Sequence, residues 1–101
     1  MLSYLINYPL EVVKKGVVKT INVFKDYTLM SSSFNICEIY QEEKNIISLK
    51  MEAYFENQTQ LFIDLKKMFG QYDESESLSY ANLFFTRLNQ VLEQLRLSGK
   101  S

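Results

Sequence analysis

Two stretches of heptad spacing constrain this chain more than any other feature. Ile47, Met51, Tyr54, Gln58, Leu61, Leu65 and Met68 recur at alternating steps of four and three. Leu78, Ala81, Phe85, Leu88, Leu92 and Leu95 do so at three and four. Such spacing holds one face of an α-helix toward a partner, as in a coiled-coil seam. Phe55, Phe62 and Phe69 widen the first stripe, and Phe84 and Val91 the second. A stripe of that width suits the core of a bundle better than a two-stranded coil.

The pattern predicts helices over about 46–69 and 74–97. Gly70 is the natural left-handed stop for the first, and Asp73 with Glu76 a capping box for the second. A third helix is expected over roughly 9–29, from Leu10, Val13, Val17, Ile21, Phe24 and Thr28 at steps of three and four. Pro9 suits its first turn, with Asn7 or Tyr8 as cap. Gly16 weakens it by about 1 kcal/mol relative to Ala. Its β-branched residues also read as a strand, but the helical pattern separates Lys14, Lys15, Lys19 and Asn22 from the apolar face more cleanly.

Residues 34–49 are ambiguous. "QEEKN" reads as a polar helical turn or as a hairpin turn between "FNICEIY" and "IISLK". One helix over 33–69 would reach about 55 Å, so two shorter helices with a break near Lys44–Asn45 are the simpler outcome. The expected fold is a single all-α domain over 1–101, a small antiparallel bundle of three to four helices. The alternative is α+β, with a hairpin within 17–49 packed on a C-terminal helical hairpin.

Histidine is absent, which removes the commonest neutral-pH base and metal ligand. One cysteine, Cys37, cannot build a metal site alone, and its apolar neighbours mark a core thiol. The pairs Glu38/Glu42 and Glu52/Glu56 read as solvated faces. No cofactor and no enzymatic activity are expected. "GKS" at 98–100 lacks the glycine-rich run, strand and helix of a phosphate loop.

The function expected instead is protein binding: a regulatory adaptor, inhibitor or chaperone acting through an apolar or aromatic helical face. Fourteen aromatic residues in 101, seven Tyr and seven Phe, favour an interface. The interface candidates are Tyr4 and Tyr8, in an apolar arm that folds over its own core or crosses to a partner; Gln58, polar on the seam; and Arg87 and Arg96. A homodimer would enlarge a thin core.

A second reading is a nucleic-acid-binding or transcription-linked module using Lys14, Lys15, Lys19 and Lys25, with Tyr27 and Tyr40 for stacking. A net charge of −1 gives it little global support. A third is an assembly subunit of a phage particle or secretion machine. No run of eighteen apolar residues suggests a membrane span, and Pro9 and Glu11 interrupt any signal-like start, so a cytoplasmic location is expected.

Overall fold

The computed structural model describes residues 2–42, 45–67 and 74–97. The elements run β1 (Leu2–Ile6), α1 (Leu10–Val23), β2 (Tyr27–Ser33), β3 (Ile36–Gln41), β4 (Asn45–Phe55), β5 (Gln58–Lys67) and α2 (Glu74–Leu97). The five strands form one antiparallel sheet in the order β1-β5-β4-β3-β2. Strands β2 to β5 form a meander. β1 adds to its far edge, and α1 carries the chain across one face to the opposite edge.

This α+β architecture overturns the all-α bundle, the coiled-coil seam and the C-terminal helical hairpin. The helix expected over 46–69 is the β4–β5 hairpin through residue 67, register Ile47↔Leu65, Leu49↔Ile63, Met51↔Leu61. The reason lies in the spacing. A step of four is even, so Ile47 and Met51, or Leu61 and Leu65, share a face in a helix and in a strand alike. Between them Leu49 and Ile63 are fully or almost fully buried, as period two requires. The odd steps at Tyr54 and Gln58 fall on a bulge and on the residue after the turn. Glu52 and Glu56 therefore do not share a helical face, and neither do Glu38 and Glu42. The expected Gly70 stop, the Asp73 capping residue and the 98–101 tail lie outside the described residues.

The hairpin reading of "QEEKN" does hold, since β3 pairs with β4 from Gln41↔Asn45 to Ile36↔Lys50. α2 spans the residues expected of it, with Glu74 and Glu76 in its first turn facing the positive end of the dipole. α1 stops at Val23, not 29, because Tyr27, Thr28 and Leu29 pair with β3. Pro9 is its N-cap residue, and its carbonyl accepts from Val13 N–H at 3.0 Å. The N-terminal arm is an edge strand of its own sheet.

Both helices cover one face of the sheet. Ile39, Ile47, Leu49, Leu61 and Ile63 meet Val13, Val17, Phe84, Leu88 and Leu92 in one apolar cluster. Each such side chain contributes about 1.5–3 kcal/mol on leaving water. Gly16 is buried where α1 meets α2.

Candidate functional site

Two hairpin turns and the start of α1 gather at one end of the sheet. β2 and β3 are joined by the two-residue turn Phe34–Asn35, with Ser33 opposite Ile36. Phe34 adopts a φ of 50°, in the left-handed region that bulky L-residues avoid. The residue is 87% exposed. The Asn35 carbonyl accepts from Met51 N–H at 2.9 Å, which fixes the turn against β4. Among the described residues no donor reaches the enclosed Asn35 side-chain oxygen. Two local costs thus meet in this turn, one from backbone and one from an unpaired acceptor.

Lys14, in the second turn of α1, places Nζ 5.3 Å from the centre of the Phe34 ring. β4 runs on past the level of Phe34, so the β4–β5 tip projects about 10 Å further. That tip carries Tyr54 and Phe55, 52% and 66% exposed, edge to face at 4.6 Å. Gln58 Nε2 donates to Asn7 Oδ1 at 2.9 Å, and Thr59 Oγ1 to the Tyr8 carbonyl at 2.8 Å. These bonds tie the tip to the β1–α1 connection. The result is a braced end with three large rings turned to solvent.

The five interface candidates do not come together there. Tyr4 stacks on Phe85 at 4.2 Å and donates to Asn82 Oδ1 at 2.6 Å, joining β1 to α2. Burial pushes its phenol pKa up. Tyr8 reaches Glu93 Oε2 at 3.4 Å. Arg96 Nε donates to the same oxygen at 2.7 Å and holds the Glu93 carboxyl below its ordinary pKa. Both side chains of that pair stay exposed. Beside them an open groove of about 550 Å³ follows α2, lined by Phe85, Thr86, Asn89, Gln90, Glu93 and Gln94. Gln58 acts as the tether just described.

Arg87 is turned inward. Its Nη1 donates to both Asp26 oxygens, at 3.0 and 2.7 Å, and its guanidinium lies over the rings of Phe24 and Tyr27. Gln41 Nε2 adds a third bond to Asp26 at 3.2 Å, and Asn45 Nδ2 donates to Gln41 Oε1. Burial raises the Asp26 pKa, but the bonds from Arg87 and Gln41 outweigh it and leave the carboxyl below its ordinary value. This network closes the end of the sheet opposite the exposed rings. A guanidinium so engaged is a strut between α2 and the start of β2.

The lysines do not converge either. Lys14 leans on Phe34, Lys15 and Lys19 lie one turn apart on the solvent side of α1, and Lys25 follows the helix end. Tyr27 is 4% exposed and has no free face for a base. Among the described residues no three His, Cys, Asp or Glu side chains come together as metal ligands. Cys37 is buried, and burial together with the Glu38 carboxylate pushes its thiol pKa up.

Sequence reasoning missed Phe34, Tyr54 and Phe55 as site residues. The available signal was one large ring set between turn formers, in "SSSFN", and two more just before Glu56–Asn57. No model of a known protein family matches the chain, and no curated protein sequence matches it.

Proposed function

We propose that this chain is a non-enzymatic protein-binding module whose contact surface is the aromatic end formed by Phe34, Tyr54 and Phe55. The observation that carries this reading is Phe34. A glycine at that position would relieve the backbone, and a polar residue would suit the exposure. A phenylalanine there answers to neither local demand. It answers to a partner that covers it, since aromatic rings anchor interfaces at low conformational cost. Lys14 beside the ring adds a cationic rim, which favours a partner with carboxylates around an apolar depression.

Site-specific photocrosslinking in the native cell tests the reading. A benzophenone residue at position 34 or 55 is expected to give discrete protein adducts. The same probe at Leu5, on the exposed outer face of β1, is expected to give none. Adducts absent from the aromatic end, or equal at all three sites, would falsify the proposal. Phe34→Gly with Phe55→Ser is expected to abolish co-purification of the crosslinked protein.

A further inference from the structure

Among the described residues β2 is an edge of the sheet with no neighbour on one side. Natural edges carry charges, proline or a bulge, or are covered, and of these β2 has only a bulge, at Met30. From Tyr27 to Cys37 there is no charged residue and no proline. Every β2 residue after Tyr27 is exposed. Its helix-side shoulder is open and apolar. Leu29 is 48% exposed and Val18, one turn on from Lys14 along the same flank of α1, 57%; Met30, at the bulge in β2, is 40% exposed. The other edge differs: β1 has only five residues, and Tyr4 is locked against Asn82 and Phe85 of α2.

The bulge at Met30 divides β2 into two unlike runs. Tyr27, Thr28 and Leu29 are large, and Ser31, Ser32 and Ser33 are small. Leu29 and Ser32 pair with the buried Ile39 and Cys37, so both lie on the helix side. Thr28 and Ser33 pair with Tyr40 and Ile36 and lie on the outer side. An antiparallel copy of the same strand therefore fits in one register that matches both faces. Leu29 meets Ser32 and Thr28 meets Ser33, each twice, about a two-fold axis beside Met30. Leu29 against Ser32 and Met30 against Ser31 then set large against small at the centre of the seam, with Tyr27 opposite Phe34 at its ends, whereas an in-register parallel copy would oppose like with like. The axis is normal to the sheet, so both copies keep their helices on one face, with Val18 of each flanking the seam.

We infer that two copies of this chain pair through β2 into a continuous ten-stranded antiparallel sheet. The occupant is a second copy because β2 itself carries no charge, the Glu38 carboxylate behind it being held by the Ser31 hydroxyl at 3.2 Å, and its central residues are complementary in size when the strand is reversed. The dimer brings Phe34 opposite Tyr27 of the second copy, but its test is separate from the aromatic-end reading, since the variants leave Phe34, Tyr54 and Phe55 in place.

Sedimentation velocity on the full chain decides. The wild type is expected to show a monomer–dimer equilibrium on dilution from about 0.5 mM, an interface of this size being modest in affinity. Met30→Lys and Met30→Glu each set like charges beside the axis, and each is expected to be monomeric. An equimolar mixture of the two is expected to regain the dimer, which also shows that both variants fold. Leu5→Lys, on the β1 edge, is expected to dimerise as the wild type does. A monomeric wild type, a dimer that survives both Met30 substitutions, a mixture that stays monomeric, or a dimer broken by Leu5→Lys each overturns the inference.

Discussion

Gly16 of α1 and Leu92 of α2 meet so closely that a β-carbon on Gly16 would lie 2.7 Å from Leu92 Cδ2. Leu88 Cδ1 would be 3.2 Å away. Both leucines are fully buried, so neither has open space to retreat into. A glycine in a helix interior weakens the helix, yet here it sets the distance between the two helices.

Gly16→Ala therefore gains up to about 1 kcal/mol of helix propensity and loses about 1–3 kcal/mol to overpacking. The expected net is a loss of about 1 kcal/mol, with Gly16→Val worse. A urea titration reads this as a lower midpoint at unchanged slope. A midpoint that rises on Gly16→Ala would show that the helices separate at little cost.

Phe34 separates backbone strain from side-chain contact. Phe34→Ala and Phe34→Gly remove the same ring and the same contact with Lys14, but only glycine relieves the positive φ. Phe34→Gly is expected to be more stable than Phe34→Ala by about 1 kcal/mol. Equal thermal midpoints would show that the turn holds no strain.

These two residues also mark where sequence reading reaches and where it stops. α2 was legible because its buried positions, Ala81, Phe84, Leu88, Val91 and Leu92, combine odd and even steps, which only a helix keeps on one side. The β4–β5 hairpin was misread because its inward residues include pairs four apart, and period four belongs to both structures. The β3–β4 hairpin was visible as an alternative because a polar run parts two β-branched stretches. The exposed rings carried no such signal. Periodicity reports what faces a core, and Phe34, Tyr54 and Phe55 face away from one. Tyr4 and Arg87 show the converse, since aromatic and arginine side chains suit an internal contact as well as an external one.

Asp26 and Arg87 make stability depend on acid pH. The folded-state pKa of Asp26 lies below its ordinary value. Its contribution is therefore present above the unfolded value, about 3.9, and is lost as pH falls through the folded one. Asp26→Asn is expected to flatten the decline in unfolding free energy below about pH 4. Arg87→Ala leaves a largely buried carboxylate without its main partner and is expected to cost about 2 kcal/mol at neutral pH. An unchanged acid limb in Asp26→Asn would remove this pair from the pH dependence.

Cys37 is a clock for opening of the sheet. Its thiol is buried on β3 between β2 and β4, with its pKa pushed up. Reaction with a thiol reagent is expected only through opening, so its rate should rise with urea in parallel with unfolding. Labelling at the rate of a free thiol in native buffer would contradict this placement.

Among the described residues β1 pairs only with β5, Leu2 against Ile63 and Ile6 against Thr59. During synthesis β1 must wait for a strand made some sixty residues later. Strands β2 to β4 can zip together meanwhile, each onto the last. Leu2, Tyr4 and Ile6 stay uncovered until β5 emerges, and Tyr4 finds Phe85 later still. β1 is thus the strand of this sheet that waits longest for its neighbour. Its exposure time is set by the pace of translation, which makes it a strand that a chaperone would shelter while the chain is being made.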